Sequence, residues 1–178
     1  MGKGPTTGIC TGFAPGSSGL TPEGAINVID QSTAQVGTLV NPLDPHGWHP
    51  LPEQSGRVMR RARRIDLWRQ DGVIKVDAGF QDSGMGRDGT RTAIHEYRVH
   101  AEVKPASGTL LALHAIPHVL PLRECPGAVV KATRMVGRNV ADFRAEVIDR
   151  LASTSGCTHL NDVLRSLSDV PYLARQLP

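Results

Sequence analysis

The hydrophobic period of this chain changes once, and that change limits the folds open to it. From Val73 to Asp82 apolar side chains fall on every second residue, with Ile74, Val76, Ala78 and Phe80 on one face of a strand. From Ala128 to Leu167 they recur every third or fourth residue, as Ala128, Val129, Ala132 and Met135, then Phe143, Val147 and Leu151, then Leu160, Val163, Leu164 and Leu167. The boundary lies near Cys125-Pro126, where proline suits a first helical position. Strands followed by helices predict an α+β fold, an antiparallel sheet with C-terminal helices packed on one face.

The strands number about four. Arg63 to Arg69 and Val73 to Asp82 flank Asp71-Gly72, a dipeptide that tolerates the left-handed backbone of a two-residue hairpin turn. Ile94 to Lys104 forms a third strand with Tyr97, Val99, Ala101 and Val103 inward and His95 on that face. Pro105 to Gly108 turns the chain into Thr109 to Val119, whose apolar content predicts a central position. Asn139 caps the second helix, a third opens at Gly156-Cys157-Thr158, and Pro171 starts a last short turn.

Residues 1–56 are rich in Gly, Pro, Ser and Thr, with one short apolar patch from Ala25 to Ile29. Such composition buries little surface, which predicts a loosely structured arm on a single domain spanning residues 57–178. The arm suits wrapping a partner or a second copy of the chain. No apolar run reaches the length of a membrane helix, and the first residues lack a secretory pattern, so a cytoplasmic compartment without membrane attachment is expected. Cys10, Cys125 and Cys157 are odd in number and far apart, which fits reduced thiols or metal ligands better than a disulfide framework. Net charge is only +3, and Arg57, Arg60, Arg61, Arg63 and Arg64 read as a solvated strand edge. No nucleic-acid module accompanies them, so nucleic acid is not an expected partner.

Candidate chemistry concentrates on a few side chains. Cys125 and Cys157 both fall at helix starts, where the backbone favours a thiolate as nucleophile or ligand, although buried free cysteines are also ordinary core residues. His95 sits at a strand end. His114 and His118 share a face of the fourth strand, which suits either a hydrogen-bonded pair or ligands. His159 turns either toward Cys157 or along its helix. Asp82 ends the second strand, and Asp162, in the first turn of the third helix, complements the helix dipole.

Four segments, in order, resemble the signature of a bacterial family catalogued as domain of unknown function 2889. They are Asp71-Gly72-Val73-Ile74 through Asp82, Ile94-His95-Glu96-Tyr97, Glu124-Cys125-Pro126 and Gly156-Cys157-Thr158-His159-Leu160. Relatives commonly carry Leu-Trp-Asp-Ile where this chain has Val73-Ile74-Lys75-Val76, and Asp-Met where it has Glu96-Tyr97, which marks a divergent branch. The tail is also similar to NifU/IscU-like iron-sulfur scaffolds, with Cys125 and Cys157 at two of their cysteine positions; their remaining cysteine, in a Cys-Gly-Asp segment, meets Ala93-Ile94-His95 and is missing here, while His95 falls near the aspartate. That resemblance implies a mononuclear zinc or iron site formed by His95, Cys125 and Cys157, because two thiolates and an imidazole make a poor cradle for a cluster. The expected activity is that of a metal-dependent lyase or hydrolase acting on a small organic metabolite, with Cys157 as a reactive group and His118, His159 or Asp82 in acid-base roles. A non-enzymatic carrier of iron, sulfur or a cluster, and an interaction subunit with merely packed cysteines, are the alternatives.

Overall fold

A computed structural model describes residues 7–22, 33–44, 47, 48, 52 and 54–178. The Ala25 to Ile29 patch lies outside the described residues, as do His46 and His49. Four strands form one antiparallel sheet in sequence order: β1 (Met59–Gln70), β2 (Val73–Met85), β3 (Arg91–Val103) and β4 (Leu110–Val119). Four α-helices follow: α1 (Gly127–Ala132), α2 (Phe143–Arg150), α3 (Thr158–Ser166) and α4 (Val170–Ala174). The α+β architecture read from the change of period is the one observed.

The β1–β2 hairpin turns on Asp71 (φ 51°) and Gly72 (φ 76°), the two left-handed residues that a two-residue turn needs. That turn sets Gln70 opposite Val73, and the register then runs unbroken to Met59 opposite Gly84. Alternation holds along β2 and β3: Ile74, Val76, Ala78, Phe80, Tyr97, Val99, Ala101 and Val103 are buried. Their partners on the opposite face carry charge, with Lys75 donating to Glu102 and Arg98 pairing with Asp77.

The helices bury the inner face. Phe143, Val147 and Leu151 of the α2 segment, and Leu160, Val163, Leu164 and Leu167 of the α3 segment, join those strand residues in one core. Asn139 performs its expected capping role by accepting from Ala141 N at 3.0 Å. Ile148, at a position adjoining the apolar stripe, is 55% exposed.

The fourth strand corrects one expectation. β4 is an edge, not a central strand, because the sheet is a simple meander and its last strand has no later strand to pair with. Its apolar run is only half used, Leu110 and Ala115 being buried while Leu111 is exposed. The beginning of that edge is closed by the chain entering α2, through Leu110 N to Arg138 O and Gly137 N to Leu110 O, both 2.8 Å. Covering an edge in this way removes a row of free backbone groups.

Candidate functional site

The alternation that builds the core also delivers a carboxylate to its end. Asp82 continues the inward stripe of Ile74, Val76, Ala78 and Phe80, and it is 7% exposed. His95 of β3 lies directly opposite it, and the register shifts immediately beyond, between Asp82 and Ser83. Such a bulge re-aims side chains at a sheet's end. The first turn of α3 brings His159 over this pair. Its ring stacks on that of His95 with centroids 3.5 Å apart and 19° between planes, and it lies 5.8 Å from the Phe80 ring. His159 Nε2 is 3.6 Å from Asp82 Oδ2.

Asp82, His95 and His159 each offer a ligand atom, and those atoms all lie within 4.8 Å of one another. Burial pushes the His95 imidazole down to about 4, reinforced by His159 beside it. Burial also lowers His159, against the pull of Asp82. Both rings are therefore neutral at neutral pH, the form in which imidazole binds metals. Arg61 grips the carboxylate from β1: Nε donates to Asp82 Oδ1 and Nη2 to Oδ2, each at 2.8 Å. The same guanidinium lies 4.8 Å over the Phe80 ring and 3.7 Å from Asp162.

Cys157 adjoins this group. Cys157 is the residue before α3, buried, with its Sγ 3.8 Å from His159 Nδ1 and accepting the Tyr97 hydroxyl at 3.7 Å. The expected ligand set of His95, Cys125 and Cys157 is not a group whose ligand atoms lie within 4.8 Å of one another; the group of that kind found among the described residues is Asp82, His95 and His159. The neighbour of Cys157 is thus His159, which turns toward it. Cys125 is 3% exposed, and burial pushes its thiol up to about 12, with the nearby Cys157 adding to the rise. Desolvation outweighs the helix start that predicted a thiolate. His118 lies exposed on β4, outside the group.

Cys10 carries no sequence signal beyond its place among the three thiols, yet the arm brings it to this end of the domain. Thr11 donates through both N and Oγ1 to the Gly156 carbonyl, at 2.8 and 2.7 Å, next to Cys157. Cys10 is 5% exposed, and burial raises its thiol, with a further contribution from the nearby Cys157. The second anchor is Glu124, whose carboxylate accepts Ser18 N at 3.0 Å and Ser18 Oγ at 2.6 Å.

Those bonds to Ser18, with Arg123 assisting, hold the Glu124 carboxyl down to about 2 from an ordinary 4.5. A depressed carboxyl contributes to docking fully above the ordinary value and loses that contribution as pH falls through the depressed one. Hydrogen-exchange protection of residues 8–21 should therefore persist at pH 5 and fall away toward pH 2. Glu124→Gln should loosen the segment already at pH 7; equal protection in that variant would show that the anchor lies elsewhere.

Arg61, which grips Asp82, is a residue that the sequence alone assigns to a solvated edge. The signal was available: a two-residue turn at Asp71-Gly72 sets position 61 opposite position 82. A family model described as "Protein of unknown function (DUF2889)" matches residues 59–173. No curated protein and no solved structure matches the chain.

Proposed function

We propose that this chain, which belongs to the DUF2889 family, is a metal-dependent enzyme holding one zinc or iron ion on Asp82, His95 and His159. The observation that carries the reading is the convergence of one carboxylate and two imidazoles within 4.8 Å. Two histidines and one carboxylate suit non-haem iron or zinc, and three protein ligands leave a coordination position open. A bound ion would supply Lewis acidity and an acidic water, the chemistry of a lyase or hydrolase working on a small organic metabolite.

The chain's own residues have separable roles in this reading. Arg61 fixes the carboxylate plane of Asp82 by its two-point grip. Phe80 beneath the guanidinium and beside His159 restricts water on the core side. The thiol of Cys157, beside His159 Nδ1, limits the tilt of that ring and places a nucleophile next to the group.

The donor set favours a single ion over a cluster, since iron-sulfur clusters are held chiefly by thiolates. A scaffold-like carrier is therefore the second reading, supported by the burial of Cys10, Cys125 and Cys157 at one end of the domain. Elemental analysis of anaerobically purified protein separates the two. About one zinc or iron per chain without a visible chromophore is expected. A stable chromophore after reconstitution with iron and sulfide would favour the carrier, and protein that takes up neither metal nor cluster would sink both.

A further inference from the structure

A second surface adjoins the Asp82 group and carries an excess of positive charge. Between edge strand β1 and helices α3 and α4 runs a cleft of about 610 Å³. Its walls include four arginines, Arg63, Arg64, Arg144 and Arg165, against two carboxylates, Asp162 and Asp169. The cleft starts where the proposed metal group ends. His159, Asp162 and Arg165 follow one another at three-residue spacing along α3, and Arg61, Arg63 and Ile65 alternate along β1. Asp162 ties the two rows together, 3.7 Å from Arg61 and 3.2 Å from Arg63.

The arginines are not equally engaged. Arg64 bonds Asp66 and Asp44, and Arg63 bonds Asp162. Arg144 donates to Asp169 at 2.8 Å in a pair whose members are 63% and 50% exposed, so that contact is weak and open to exchange for a ligand. Arg165 differs: its Nε is buried and has no hydrogen-bond partner. A cation in a helix's last turn is favourable for the dipole alone, but the dipole does not account for a buried N–H without an acceptor. Arg165 also lines this cationic cleft, and a guanidinium with an unsatisfied N–H matches a carboxylate or phosphate, which accepts two parallel N–H bonds.

We propose that this cleft binds the anionic group of a small organic molecule, a carboxylate or phosphate, with Arg165 as the central donor and Arg144 at the rim. In that arrangement the molecule's other end points along α3 toward His159. Calling the molecule a substrate rests on the metal-enzyme reading; the anion site itself does not. An exposed aromatic, Tyr172, also lines the cleft.

The test is calorimetric titration of chelator-treated full-length protein at low salt with two probes, inorganic pyrophosphate and citrate. One-to-one saturation is expected with at least one of them, at least ten-fold weaker in Arg165→Gln and several-fold weaker in Arg144→Gln. Arg134→Gln, at an exposed position away from the cleft, should bind as the parent does. Tighter pyrophosphate points to a phosphate and tighter citrate to a carboxylate. In nitrogen-edited spectra the Arg165 Nε–H resonance should shift on titration, which decides the matter even if Arg165→Gln fails to fold. Absence of saturation, equal weakening in Arg134→Gln, or an unmoved Arg165 resonance overturns the proposal. His159→Ala separates the two readings: retained anion binding leaves the cleft standing whether or not metal binds, and lost binding assigns the anion to the His159 group instead.

Discussion

His159→Ala is expected to abolish stoichiometric metal binding while leaving a folded protein. The His159 side chain is part of the candidate ligand group and lies outside the cluster of apolar side chains that the helices and sheet share, so its loss leaves that core intact. Removing one ligand of three leaves a carboxylate and one imidazole, too few to hold zinc or iron through dialysis. Arg61→Gln should have a graded effect. It releases the two-point grip on Asp82 without touching a ligand atom, and outer partners of this kind are typically worth about 10–100-fold in metal affinity. Cys125→Ser is the discriminating control. It should leave metal content unchanged, because the Cys125 thiol lies outside the group that meets within 4.8 Å. Competition titration with a chromogenic chelator, alongside thermal melts, reads all three. Metal lost in Cys125→Ser but kept in His159→Ala would restore the thiol-based site and remove the present one.

That control exists because sequence and structure divide the site differently. Strand periodicity puts His95 on the inward face, because a pleated strand leaves only two choices, and the same alternation continued past Phe80 reaches Asp82, which the sequence marks only as the end of its strand. The missing quantity was how a helix lies over the sheet. Whether His159 or Cys157 faces the strand pair depends on the position of α3, which follows from packing of Leu160, Val163 and Leu164 and from no local signal. The two helix-start cysteines carry a sound local signal, yet both thiols are buried, and desolvation reverses the expected direction for Cys125. Arg61 was hidden by its neighbours: in a run of arginines its pairing with Asp82 emerges only once the hairpin register is counted. The apolar content of β4 misleads for a topological reason: the strand is the last of a meander, and only its Leu110 end is covered, by the backbone entering α2. The docking of Thr11 on Gly156 spans 145 positions and has no sequence signature.

Gly156→Ala should destabilise the protein by about 2 to 4 kcal/mol, the sum of an overpacked contact and a lost hydrogen bond. Gly156 has extended backbone (φ −149°), which any residue adopts, so conformational freedom is not the reason for glycine here. The reason is contact. A Cβ at this position would stand 2.4 Å from the Leu151 carbonyl oxygen and 2.9 Å from the Asn161 amide. Neither neighbour can yield freely, because Asn161 Nδ2 donates to that same Leu151 oxygen at 2.8 Å and so joins the end of α2 to the start of α3. Pushing the joint apart also disturbs the Gly156 carbonyl that receives Thr11, and it displaces Cys157 and His159 along with the start of α3. For a chain of this size the loss reads as a fall of roughly 5–15 °C in melting temperature. Gly127→Ala provides the contrast, since its Cβ would meet only Thr11 Cγ2, at 3.6 Å, an ordinary contact. Metal affinity should fall in Gly156→Ala and hold in Gly127→Ala. If Gly156→Ala melts within a degree or so of the parent and keeps its metal, the joint between α2 and α3 does not position His159, and the site must be held by the sheet alone.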